Sequence, residues 1–190
     1  MDANVTSGAP YSEPSGVLAT TTGVLGLLLG ASNLVGAVML LNAFRGAPSK
    51  YDNSLTIFAT LGALLLAAAL IYGAILLLRR DETGRYMLIV ASGLMIVIAL
   101  AALACALTGY GSSYGIHWFQ EGRRSSDAVK STFGLVGSLT ALVHQDWLAG
   151  LTAMITPLLT FLTAASGYTA RWIAAPPARR PIQLLDDTAY

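Results

Sequence analysis

Four stretches of this chain carry no Asp, Glu, Lys or Arg at all: residues 17–44, 55–78, 86–108 and 147–170. About 20 apolar residues are enough for a helix to cross a bilayer core of roughly 30 Å, and each stretch is longer than that. Hydrocarbon offers no partner to a free backbone amide, so a segment that crosses it must bond internally as a helix or close into a barrel. Continuous apolar runs of this length are helical rather than alternating. Charged residues make up 11% of the 190 residues, against about 25% in an ordinary soluble domain. The expected fold is therefore all-α: an integral membrane four-helix bundle, with an amphipathic helix in the long third loop.

The segments between the spans are unequal. Residues 1–15 contain Gly8, Pro10 and Pro14, no Lys or Arg, and no periodic apolar face. This reads as a disordered tail, and a leader without basic residues is not a secretory signal. Residues 171–190 carry Pro176, Pro177 and Pro181, which forbid a continuous helix. The connection 109–146 is the one sizeable loop. Its first part mixes Gly and Ser with Tyr110, Tyr114, Trp118 and Phe119, as an interfacial segment does. Ser125-Ser126-Asp127 then signals a helix start, and Val129, Phe133, Val136, Thr140 and Val143 recur at helical spacing. Residues 127–143 are expected to lie on the membrane as an amphipathic helix. The alternative is a fifth span, although their uncharged core, 131–143, is too short to cross alone.

With four spans both tails share a side. That side holds Arg79, Arg80, Arg85 and Arg171 directly at span ends, with Arg179 and Arg180 in the tail; the other holds Arg45, Lys50, Arg123, Arg124 and Lys130, of which Arg123 and Arg124 sit far into the long loop. Basic residues close to span ends mark the cytoplasmic face, so both termini are expected in the cytoplasm of a bacterial cell membrane.

Inside the spans, small residues mark packing faces. Gly23, Gly26, Gly30, Asn33 and Ala37 form one stripe on the first helix, with a GxxxG pair inside it. Such a stripe lets two helix backbones approach closely, either within the bundle or against a partner. Asn33 falls near mid-membrane and needs a hydrogen-bond partner there. The second helix offers Ala59, Ala63, Ala67 and Ala74, and the third Ser92, Ala99 and Ala102. The fourth helix differs. Thr152, Thr156, Thr160 and Thr163 make a partly polar stripe interrupted by Pro157. It is either a kinked structural helix or a polar groove for a solute or lipid head group.

The chemistry the spans lack narrows the function. Proton-coupled carriers place carboxylates or His within the bilayer, and here every carboxylate lies outside the four spans. Both histidines, His117 and His144, are in the long loop, which argues against paired haem ligands. The single cysteine, Cys105, excludes a dithiol oxidase and reads as a small apolar residue. Ser112, Ser113, His117, Glu121, Asp127 and His144 supply hydrolase residue types without a nucleophile-elbow pattern. No catalytic residue, metal or cofactor is expected. A net charge of +1 gives no footprint for nucleic acid. Arg123 and Arg124 are candidates for lipid head-group contact.

Residues 73–90, an apolar run turned by Arg79-Arg80-Asp81-Glu82-Thr83-Gly84-Arg85 into a second apolar run, resemble a hairpin of small actinobacterial four-span membrane proteins of unassigned function. The resemblance covers residues 15–108. It implies a bacterial cytoplasmic membrane and a four-helix fold, and it transfers no catalytic residues. The expectation is a non-catalytic accessory or scaffold subunit of an envelope complex. Its partners would be membrane lipids and another membrane protein or a second copy. The alternative is a small transporter or lipid-handling protein using the fourth-helix stripe.

Overall fold

The computed structural model describes residues 16–46, 48, 53–108, 134–143 and 147–175. All regular structure among them is helical: α1 (Val17–Gly46), α2 (Asn53–Leu78), α3 (Glu82–Thr108), α4 (Gly134–Val143), α5 (Trp147–Ala165) and α6 (Gly167–Ala174). Four of these, α1, α2, α3 and α5, are long and apolar enough to cross a membrane. Their outward faces carry Phe58, Leu65 and Val90, each at least 70% exposed. In water such faces would associate; in a bilayer they meet lipid.

The spans pack in a ring. α1 lies on α2, α2 on α3, α3 on α5, and α5 returns to α1. Leu29, Leu40, Leu70, Leu77, Leu88 and Met95 are fully buried between them. At one end, here the terminal end, Gly16 lies against Trp172 of α6. The opposite end, where α5 begins, is the loop end.

The α2–α3 hairpin turns tightly at the terminal end. Arg80 N–H donates to Leu77 O (2.9 Å) and Asp81 N–H to Leu76 O (3.0 Å), which closes the carbonyl end of α2 in a Schellman arrangement. This needs a left-handed residue, and Arg80 supplies it with φ 63°. Asp81 then caps α3 by accepting from Thr83 N–H at 2.8 Å. That bond, with a second from the Thr83 hydroxyl, holds the Asp81 carboxyl below its ordinary value of 3.8. Gly84 lets the two helices touch: a Cβ there would lie 2.5 Å from Gly73 O and fall on Leu77 N.

Four boundaries differ from the sequence reading. The first helix continues past residue 44 to Gly46, and the second begins at Asn53 rather than residue 55. The third begins at Glu82 rather than residue 86, because Asp81 caps it and its first turn tolerates charge at the interface. The fourth span ends at Ala165, not residue 170. There Ser166 leaves the helix and caps α6, accepting from Thr169 N–H (3.3 Å), and Gly167, a weak helix former, follows.

The larger difference is α4. A helix does lie in the long connection, but it covers Gly134–Val143 and is inside the bundle. It touches α1, α2, α3 and α5, and Leu135, Val136, Ser138, Thr140 and Ala141 are all buried. It neither lies on the surface nor crosses the membrane. It is a half-helix of about 15 Å that rises from mid-depth to the loop end. A surface helix keeps a polar face, and Gly134 to Val143 has only Ser138 and Thr140, whose hydroxyls return to Gly134 O (3.2 Å) and Val136 O (2.8 Å). The tails 1–15 and 176–190, the helix-start signal at Ser125, the loop residues His117, Arg123 and Arg124, and His144 lie outside the described residues.

Candidate functional site

The polar centre of the bundle is built on Asn33. This residue is completely buried and stands about 20 Å below the loop end of α1 at 1.5 Å per residue. Its Nδ2 donates to Leu29 O one turn back (2.8 Å) and reaches Met95 Sδ on α3 (3.5 Å). Its Oδ1 accepts from Leu135 N–H at 3.0 Å. One carboxamide thereby joins α1, α3 and α4 and satisfies an orphan donor at the N-terminus of the half-helix. Such a donor, left unpaired in hydrocarbon, costs several kcal/mol in the limit.

Gly134 makes this junction possible. Its φ is +63°, a backbone that L side chains disfavour by about 1–2 kcal/mol. A Cβ there would fall on the Asn33 amide. The sequence marks Asn33 as a mid-membrane group in need of a partner. The helix-start signal at Ser125-Ser126-Asp127 lies outside the described residues, and nothing in the sequence reading singles out Gly134. The available clue was the glycine heading an uncharged run too short to span.

The small stripe on α1 faces inward. A methyl at Gly23 would come within 2.8 Å of Leu78. At Gly26 it would reach Leu88 at 2.8 Å and Ala74 at 3.2 Å, and at Gly30 Ile71 at 2.6 Å and Ala67 O at 3.2 Å. Ala37 continues the stripe and is buried. This face is occupied by α2 and α3 of the same chain, so it is not free for a partner.

Three of the four fourth-helix threonines donate their hydroxyls within their own helix. Thr152 donates to Ala149 O (3.0 Å), Thr160 to Thr156 O (2.8 Å), and Thr163 to Leu159 O (2.8 Å). Thr160 is fully buried, and Pro157 three residues before it is buried; Thr152, Thr156 and Thr163 are partly exposed. Threonine hydroxyls bonded one turn back are a way to carry a polar group through hydrocarbon at little cost.

At the terminal end, arginines close helix ends. Arg85 Nε donates to Ala164 O (2.9 Å) and its terminal nitrogen to Ala165 O (3.4 Å), so a cation sits on the last carbonyls of α5. Arg80 donates to Ala175 O (3.3 Å) and stacks 4.6 Å from the Trp172 ring centre. Arg171 stands over Tyr168 at 5.6 Å. The sequence identified these arginines as a charge pattern; their bonds to helix ends were not readable from it.

The sequence profile of a family described as "mycobacterial cell wall arabinan synthesis protein" matches residues 18–154. No curated protein and no solved structure matches the chain. The matched stretch takes in α1 to α4 and the start of α5, the Asn33–Leu135 junction included. It covers more than two-thirds of the sequence, and the chain belongs to the family of mycobacterial cell wall arabinan synthesis proteins.

Proposed function

We propose that this chain is a non-catalytic accessory or scaffold subunit of the envelope machinery that makes cell wall arabinan. Membership of the arabinan synthesis family supplies the process. The observation that carries the accessory reading is how the polar groups inside the bundle are used. Asn33, Ser92, Thr140 and Thr160 are buried and bonded to main-chain groups. The Asn33 amide also accepts from Leu135 N–H and so ties α1 to α4, while the hydroxyls close back on their own helices and are not offered to a ligand. A carrier needs polar groups turned toward a water-filled path, and the engaged hydroxyls of Thr152, Thr160 and Thr163 favour a structural stripe over a solute groove.

Deletion of the gene in its host, with sugar analysis of the wall, tests the process: the expected result is a fall in arabinan that the wild-type gene restores. The double variant Thr160→Val, Thr163→Val tests the role. A scaffold complements fully, because valine keeps the branched shape and an intramembrane hydrogen bond averages only about 0.6 kcal/mol. A variant that is inserted at normal levels yet fails to restore arabinan would favour the carrier instead.

A further inference from the structure

The α2–α3 hairpin closes two helix ends that follow the last span. Arg85 lies on Ala164 O and Ala165 O at the end of α5, and Arg80 on Ala175 O at the end of α6. These partners are neutral carbonyls. They fix the two guanidiniums in place and leave most of their N–H donors unspent. Arg79 and Arg171 are exposed, and their guanidiniums make no hydrogen bond among the described residues. Asp81 and Glu82 are the only carboxylates among the described residues. Asp81 is turned to the Thr83 N–H, and neither carboxylate pairs with an arginine. Four cations against two anions leave this end with two formal positive charges and no counterion from the described residues.

The rings beside these cations set their depth. Arg80 stands 4.6 Å from the Trp172 ring centre, Arg171 5.6 Å from Tyr168, and Arg85 5.8 Å from Tyr86. Tyr86 and Tyr168 are 54% and 69% exposed, one in the first turns of α3 and the other just past the end of α5. Tyrosine and tryptophan at span ends sit at head-group level, with the ring toward the acyl chains and the polar tip in the wet layer. Cations stacked on them are held in that layer, where lipid phosphates lie, and not out in the aqueous phase. The arginine fork also suits phosphate, because it can meet two oxygens at once. A zwitterionic head group brings its own cation to offset its phosphate, and an anionic one does not. Uncompensated positive charge at head-group depth therefore favours a lipid of net negative charge.

We infer that the arginine-rich terminal end of the bundle is a binding surface for the phosphodiester head groups of anionic phospholipids, with Arg79 and Arg171 as its free cations and Arg80 and Arg85 as cations held in place by helix ends.

The full chain, reconstituted in phosphatidylcholine vesicles with a trace of phosphatidylglycerol or phosphatidylcholine bearing a nitroxide on one acyl chain, tests this by electron spin resonance. The motionally restricted component should be larger for the phosphatidylglycerol probe. Arg79→Gln combined with Arg171→Gln removes two charges that hold no helix end, and should cut that preference by up to about fivefold per arginine. Should the double variant fail to insert, either single variant supplies the same reading with a smaller fall. Arg45→Gln, exposed at the loop end, removes a charge outside the surface and should lower the preference less than Arg79→Gln does. Inorganic phosphate should displace the probe no better than sodium chloride at equal ionic strength. Equal restriction of the two probes by wild type, or a preference that survives in the variants that insert, would overturn the surface. So would a fall for Arg45→Gln as large as that for Arg79→Gln. Displacement by inorganic phosphate beyond the chloride effect would replace the lipid with a soluble phosphate. A preference that appears only once Asp186→Asn and Asp187→Asn are combined would give the surface to the acidic tail of the chain itself.

Discussion

Arg80 holds a backbone conformation that helix ends normally reserve for glycine. It is retained there by what its side chain reaches, the Trp172 ring and the Ala175 carbonyl. Two substitutions separate the costs. Arg80→Ala loses both contacts and keeps the strain, whereas Arg80→Gly loses the contacts and relieves the strain. Arg80→Gly should thus be more stable than Arg80→Ala by about 1 kcal/mol in a detergent unfolding titration; the reverse order would mean that the turn is not left-handed. Gly134 shares that backbone region without the option of a side chain. Gly134→Ala should cost clearly more than Gly150→Ala, where the new methyl would stand an ordinary 3.5 Å from Leu103. Asn33→Leu, which strands the Leu135 amide, should cost about 1–3 kcal/mol. A loss at Gly134 no larger than at Gly150 would refute the junction. Asn33 was recognisable from the sequence as a group needing a partner, since a carboxamide in hydrocarbon must bond. Its partner was not, because a residue about a hundred positions away leaves no local mark.

The spans could be read from the sequence because the bilayer dictates both their length and their lack of charge. The half-helix was harder. Residues 134–143 are apolar on nearly every side, so the helical spacing of Val136, Thr140 and Val143 suggests a surface face where the structure buries Val136 and Thr140, and ten residues are too few to span. Burial against four neighbours decided the matter. Protection from labelling checks this placement. In a Cys105→Ala background, Ser138→Cys should resist a membrane-impermeant maleimide, and Trp147→Cys, at the exposed start of α5, should react. Rapid labelling at both would place α4 on the surface. The α2–α3 hairpin carries a pH dependence. The Asp81 carboxyl is held below 3.8 by the Thr83 amide and hydroxyl, so its contribution is complete above the unfolded value and fades as pH falls through the lower folded one. Acidification into that range should lower the thermal midpoint of the wild type more than that of Asp81→Asn. Equal acid sensitivity would show that the cap adds nothing.

For the molecule as a whole, the contact of Gly16 with Trp172 places the start of α1 and the helix after α5 at one end. Arg79, Arg80, Arg85 and Arg171 gather at that end, and the positive-inside rule predicts that it faces the cytoplasm. Reporter fusions at Met1 and Tyr190 should therefore both give cytoplasmic signals; termini in different compartments would require an odd number of crossings. The half-helix also changes what the ring of spans encloses. In the loop half the four spans stand around α4, which touches every one of them, as staves stand around a bung. The axis of the bundle is therefore stoppered from the loop side by the protein's own backbone, with the Asn33 amide at the foot of the stopper.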